Sequence, residues 1–463
     1  MALDAARRWV NLASELHREL LEVAELAAFD PRWWVLAGGA AYPWARAGSL
    51  PAYVVSDAEA AADTFIGHVT AEPADPVAHA IARARAARSA ILDLDGQLPG
   101  QPLAVTIRRD LAAATTVPSA LDVVAFAIGD RCYAARLDDG AEDHAARDRA
   151  LAVELAAVLA RPHAPTARLR PLGEATPFVT VTLGDEGVAT ARHGHRRGWS
   201  TRAGVGTGPW LGLARSNGLD LVTTCHMVVD GFGHAWLANA IRARTPASPP
   251  RALVIPPPAI PADAIALDVA WQHMATTPRA LELAYRLGRA LHRRAGDRLA
   301  RFSPTFQIPV APGSRDDTDR FKRRVVAPIA SVRFEAGRAE PFEAFAARTK
   351  PLLAREAAGL GVSARLLVAA QAAPAPLAWK RRAVGTARPR WLEAMANLIG
   401  GRGCVSKIAG APAVAVSSPA RLATLRDPLG SCVVTLVHDE RGAILTVVTS
   451  GLDARELLGE LQA

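Results

Sequence analysis

Leu219-Asp220-Leu221-Val222-Thr223-Thr224-Cys225-His226-Met227-Val228-Val229-Asp230-Gly231-Phe232-Gly233 passes from an apolar run into a glycine-marked one, and the order of elements around it decides the fold. Leu219 to Thr224 reads as a buried strand, because a short apolar run with β-branched residues favours extended chain. His234 to Arg242 reads as a helix, since Ala235-Trp236-Leu237-Ala238-Asn239-Ala240-Ile241 places apolar residues at helical spacing. Gly231 and Gly233 are expected to turn the chain sharply between the two, as glycine accepts backbone angles that a Cβ resists. The predicted order is strand, histidine, turn, helix. A neutral imidazole is the side chain best poised to take a proton near neutral pH, so a strand delivering His226 into a turn would present a base to a substrate.

The stretch Thr224 to Gly233 resembles the signature of the CoA-dependent acyltransferase superfamily, which includes chloramphenicol acetyltransferase, dihydrolipoamide acyltransferases, peptide-synthetase condensation domains and wax-ester synthases. Its Asp-Gly-Phe followed by an amphipathic helix is most similar to the acetyltransferase version. Many members open the motif with two histidines, and Cys225 stands at the first of those positions here. The resemblance implies an α/β fold of two chloramphenicol acetyltransferase-like lobes, each a mixed sheet covered by helices, with an active-site tunnel between them. It implies an acyltransferase in which His226 is the general base. His226 would take the proton from a hydroxyl, amine or thiol acceptor as that atom attacks an acyl thioester, with no covalent acyl-enzyme.

Holding both reactants in one tunnel would supply part of the acceleration. Asp230 would point away from the substrate and pair with an arginine, fixing the turn that presents the histidine. The oxyanion of the tetrahedral intermediate needs a positioned donor. Ser406, in Gly403-Cys404-Val405-Ser406-Lys407-Ile408-Ala409-Gly410, is similar to the serine of the family's Ser-Asn-x-x-Gly stretch, with Lys407 where Asn is usual. Thr180 and Thr182, alternating with Val179 and Val181, are rival hydroxyls and equally fit a half-buried strand. No permanently bound cofactor is implied. CoA or a phosphopantetheine thioester would be co-substrate, delivered as acyl-CoA or on an acyl carrier protein, with a small molecule or lipid as acceptor. The alternative is a noncatalytic scaffold or interaction protein that retains the fold.

The chain of 463 residues is long for one hydrophobic core and fits two units. A boundary is expected at the Pro-rich segment, giving residues 1–245, a linker 246–263 and residues 264–463. Half the residues are apolar, and the mean hydropathy is +0.11, yet no uninterrupted apolar run reaches the ~18 residues that would span a bilayer. Met1-Ala2-Leu3-Asp4 lacks the basic start of a signal peptide, so cytoplasmic placement is expected. Cys132, Cys225, Cys404 and Cys432 are scattered, which fits reduced thiols. Cys225 as a nucleophile is disfavoured, because neighbours on a strand point to opposite faces.

The net charge of +9 comes almost wholly from Arg, with lysines only at 322, 350, 380 and 407. No zinc-finger, RNA-recognition or basic coiled-coil signature accompanies the clusters Lys322-Arg323-Arg324 and Lys380-Arg381-Arg382, so nucleic acid is not an expected partner. The charge would instead attract a phosphate-bearing donor. No metal is expected. His193 and His195 lie among arginines that repel a cation, and a stripe of His226, Asp230 and His234 would need a helix through Gly231 and Gly233, which the glycines argue against.

Elsewhere, residues 1–29 and Asp75 to Ala90 read as helices. Val123 to Ile128 and Cys132 to Leu137 read as a hairpin about Gly129-Asp130-Arg131, and Gly204 to Gly208 as a flexible connection. Trp33, Trp34 and Trp44 read as core anchors. After the Pro-rich segment, Ile265 to Leu299 is expected to be one long helix with Arg286, Arg289, Arg293 and Arg294 outside. Phe342 to Glu356 and Ser363 to Gln371 follow as helices. Cys432 to His438 and Ala443 to Thr449 form a second hairpin, and Leu452 to Leu461 a closing helix.

Overall fold

The computed structural model describes residues 34–37, 40–43, 64–95, 105–110, 113–118, 120–129, 131–137, 143–161, 166–172, 177–183, 207–209, 211–216, 218–224, 231–246, 268–295, 305–309, 329–334, 340–357, 403–417 and 431–462. In chain order these form β1 (Trp34–Ala37), β2 (Ala40–Pro43), β3 (Thr64–Val69), α1 (Pro76–Asp95), β4 (Val105–Asp110), β5 (Ala113–Pro118), β6 (Ala120–Ile128), β7 (Arg131–Arg136) and α2 (His144–Ala160). Next come β8 (Arg170–Pro171), β9 (Pro177–Leu183), β10 (Thr207–Pro209), β11 (Leu211–Ser216), β12 (Leu219–Thr224) and α3 (Gly231–Arg244). The later part contains β13 (Asp268–Met274), α4 (Ala280–Ala295), β14 (Thr305–Pro309), β15 (Ile329–Arg333) and α5 (Phe342–Ala357). It closes with β16 (Gly403–Ala409), β17 (Ala413–Ser417), β18 (Ser431–Asp439), β19 (Gly442–Ser450) and α6 (Ala454–Gln462).

Two mixed sheets carry the α/β fold. The first has eight strands in the order β17-β3-β12-β11-β9-β6-β7-β8, and the second six in the order β13-β19-β18-β16-β14-β15. Alternation along each strand sends one set of side chains to helices and the other to the facing sheet. On the first sheet, Ile66, Val124, Val181, Leu213 and Val222 meet Ala84 and Ile91 of α1, Leu155 of α2 and Leu237 and Ile241 of α3. On the second, Val434, Leu436, Leu445 and Val447 meet Leu283 and Leu287 of α4, Phe345 of α5 and Leu457 and Leu461 of α6. The opposite faces pack on each other, where Leu219, Leu221, Val414 and Val416 of the first sheet contact Val269, Val433, Ile444 and Val448 of the second.

Strand β17 follows the Pro-rich segment in sequence but hydrogen-bonds to β3, at the edge of the first sheet. The later part of the chain therefore supplies an edge strand to the earlier part's sheet. Helix starts follow local chemistry. Asp75 accepts from the amides of Val77 and Ala78 (both 2.9 Å), and Asp143 from that of Ala146 (2.9 Å), as N-cap carboxylates do. Gly129 turns β6 into β7 at φ +56°, a conformation costly for a residue with a Cβ.

Two expectations need correction. The long helix over Ile265 to Leu299 is a strand and a helix: β13 pairs along its whole length with β19 before α4 begins at Ala280. The strand wins because Val269 and Trp271 pack toward the first sheet while Ala270 faces the helices, and Pro278 disfavours helical backbone just ahead of α4. Gly204 to Gly208 is not wholly a connection, since Thr207–Pro209 pairs with β4 in a small sheet, β10-β4-β5. None of the four arginines of α4 is buried, and three of them bind the neighbouring α6. Arg286 donates to the carbonyls of Leu461 (2.8 Å) and Gln462 (3.2 Å), and Arg293 and Arg294 reach Glu460 (both 2.8 Å), tying α4 to α6. Residues 1–29, 247–263 and 363–371, with Trp33 and Trp44, lie outside the described residues.

Candidate active site

Helix α3 and strand β12 frame the motif. Cys225, His226 and Asp230 lie outside the described residues, but both ends of the segment are held firmly. Strand β12 is buried throughout, paired with β11 on one side and β3 on the other. On the far side, His234 is wholly buried and its Nε2 meets the carbonyl of Val222 at 2.8 Å, pinning the first turn of α3 to β12 two residues before the strand ends. His234 is thus engaged with backbone, and no group of three or more His, Cys, Asp or Glu among the described residues is arranged to hold a metal ion. Gly231 and Gly233 are a correction: they do not form a turn ahead of the helix but open it. The first amides of a helix have no intrahelical partner to lose, so glycine is tolerated there better than in mid-helix.

Beneath β12 lies a buried charge network with no counterpart in the sequence-based expectations. Asp220 accepts from Arg215 (3.0 Å), meets His79 Nε2 (2.8 Å) and has Arg83 at 3.7 Å. Burial works against its charge, but Arg83, His79 and Arg215 together hold its carboxyl well below the usual carboxylate range. Arg83 also donates to the carbonyls of Ala214 (2.6 Å) and Leu221 (2.7 Å), stitching α1 to the β11–β12 hairpin. His68 on β3 is also buried, and its Nε2 donates to Asn239 Oδ1 of α3 (3.2 Å). Burial, reinforced by the positive charges of Arg242 and Arg83, lowers His68 to about 4 against the Asn239 hydrogen bond, so its ring is neutral near pH 7. A lone Asn in an Ala-rich helix was the available signal for this contact.

Ser406 sits in the middle of β16, not at a strand end. Its Oγ lies 3.5 Å from Cys404 Sγ, and Cys404 packs on the cluster between the sheets, so Ser406 belongs to the face turned toward the first sheet. In register beside it come Thr435 of β18, then Thr446 of β19, then Trp271 of β13. Thr446 Oγ1 accepts from the amide of Ala415 in β17 (3.3 Å), which places β17 over that end of the row. Lys407 alternates to the opposite, helix-covered face, where burial and then Arg279 lower its pKa.

Thr180 and Thr182 are buried in β9, and the Thr180 hydroxyl has no hydrogen-bond partner among the described residues. Thr180 shares a register row with Gly212 and Thr223, so it too lies on the face opposite α1 and α3. Cys132 and Cys432 are buried, Cys404 is half-buried and none of the three is in a disulfide; burial pushes the Cys432 thiol up to about 12. Among the described residues no helix is long and apolar enough to cross a membrane. A groove of about 820 Å³ at the β7–β8 edge is lined by Arg85, Arg136, Arg147, Arg168 and Arg170 with Asp148, at the opposite end of the sheet from β17.

No protein-family model and no curated protein matches the chain. Among solved structures, TRI101 of F. graminearum complexed with ethyl coenzyme A overlaps it with a TM-score of 0.41 at 11% identity, covering 88% of this chain and 94% of that one. The starter condensation domain of rhizomide synthetase RzmA overlaps with a TM-score of 0.34 at 10% identity, covering 96% and 92%. Holo T3CT overlaps with a TM-score of 0.34 at 13% identity, covering 89% of each chain.

Proposed function

We propose that the chain is an acyltransferase moving an acyl group from a CoA or carrier-protein thioester to a hydroxyl, amine or thiol acceptor, with His226 as general base. The observation that carries this reading is the anchored junction itself. Only Cys225 to Asp230 separate the end of buried β12 from the start of α3, and the His234–Val222 contact fixes the two elements to each other. Two elements fixed to each other on either side of the base are what proximity catalysis needs. Asp230 immediately precedes the first residue of α3, where a carboxylate favours the helix start. Its contribution is to hold the junction.

Ser406 is the proposed oxyanion donor, on the sheet face that looks toward the motif-bearing sheet, with Thr180 as rival from the first sheet. Two chloramphenicol acetyltransferase-like lobes meeting at a tunnel, within residues 1–245 and 264–463 around a linker at 246–263, complete the reading. The donor would be acyl-CoA or an acyl carrier protein, the acceptor a small molecule or lipid, and the location cytoplasmic. A thiol-release assay with a panel of acyl thioesters and nucleophilic acceptors tests the assignment. Turnover by wild type that Ser406→Ala lowers by about 100-fold supports the oxyanion role; an unchanged rate in Ser406→Ala transfers that role away from this residue.

A further inference from the structure

We propose that Asn239 is a positioning residue that locks the helix following the motif to the turn leaving the Ser406 strand, so that the two proposed parts of the site are held in one geometry. The inference rests on the reading above for its catalytic meaning, but not for its mechanics. Asn239 lies about two helical turns into α3. Three hydrogen bonds engage its amide: Nδ2 donates to the carbonyl of Ala235 (2.8 Å), while Oδ1 accepts from the backbone amide of Ala411 (3.0 Å) and from His68 Nε2 (3.2 Å). One side chain therefore touches α3, β3 and the β16–β17 turn.

The fit at the turn is tight. A Cβ at Gly410 would overlap the Asn239 amide nitrogen, so glycine there permits the backbone to lie directly on the side chain. The Gly410 amide donates to the carbonyl of His438 (2.8 Å), continuing the β16–β18 ladder, so the turn moves with the second sheet. Ser406 is four residues upstream on that same ladder. Downstream, β17 begins at Ala413, which stands in register with His68. Asparagine is a poor choice for a mid-helix position among alanines, and a half-buried amide is worth keeping there only if its partners are satisfied together.

The test uses the full chain with Asn239→Ala, Gly410→Ala, the double variant and Asn239→Asp, followed by hydrogen exchange and by acyl-transfer kinetics. The lock predicts reciprocal effects: Asn239→Ala speeds exchange in residues 403–412, and Gly410→Ala speeds it in 225–233. Turnover should fall by about 10- to 100-fold in each, with KM for the thioester within about twofold and the double variant no worse than the poorer single one. Asn239→Asp keeps an oxygen for the Ala411 amide and should retain most of the protection at 410–412, which also serves if Asn239→Ala does not fold. Exchange confined to the side that carries the substitution, or additive losses, overturns the lock. If wild type releases no thiol from any thioester, the functional reading fails, and exchange alone still decides the lock.

Discussion

The helix-covered faces of the two sheets are built from different materials. Between the second sheet and α4, α5 and α6 lie Leu436, Leu445 and Val447 of the sheet and Leu457 and Leu461 of α6, and the buried polar side chains there, among the described residues, are threonines rather than charged groups. Under α1 and α3 the first sheet buries Arg83, Asp220, His68 and His234 among its apolar residues. Apolar packing is non-directional and tolerates small slips, whereas hydrogen-bonded buried charge holds only one arrangement. The directional contacts converge on β11, β12 and α3, the elements that carry the motif. The first sheet's helix-covered face is thus the more directionally specified of the two, while that of the second sheet, which carries Ser406 on its other face, is held chiefly by apolar burial.

Breaking each face should therefore give different losses. Asp220→Ala leaves Arg83 buried without its carboxylate, while Arg215 keeps Glu72 (2.9 Å), and should cost about 4 kcal/mol in urea unfolding, the largest effect. A cost below about 1 kcal/mol would mean that the network is not an organising feature. Leu445→Ala in the second sheet should cost about 3 kcal/mol through a cavity while leaving hydrogen exchange at residues 225–233 unchanged.

A pH effect should be smaller still. The folded chain holds His68 at about 4 against an ordinary 6.5, so between those values the unfolded chain binds a proton that the native chain refuses. Stability from this site is fully present above pH 6.5 and is lost as pH falls toward 4, with an upper limit of roughly 3 kcal/mol. Urea midpoints of wild type and His68→Gln, compared from pH 7 to 4, should converge as the pH falls; parallel curves would place the acid sensitivity elsewhere.

Much of the first sheet was legible because its signals are local. Six residues from Leu219 to Thr224 announce a buried strand, and Gly129 and Gly442 mark two hairpins. The misses are long-range. Asp268 to Met274 becomes a strand through its pairing with β19, which lies far along the chain. Nothing near Ala413 reveals that it will pair with β3. Gly231 and Gly233 misled because glycine's penalty depends on helix position, and the start of a helix is where it is least. Ser406 was identifiable as a candidate, but its face became readable only from its contact with Cys404. The Asp220 network escaped because α1, which supplies His79 and Arg83, lies far along the chain from β11 and β12.

The most direct trial of His226 as the base is acyl transfer from a turned-over thioester to its acceptor, with product measured for wild type and His226→Ala over a range of pH. An imidazole base predicts a rate that rises with pH as the ring loses its proton, and a loss of about 100-fold or more in His226→Ala together with that pH dependence. Equal rates and the same profile in both proteins would contradict it.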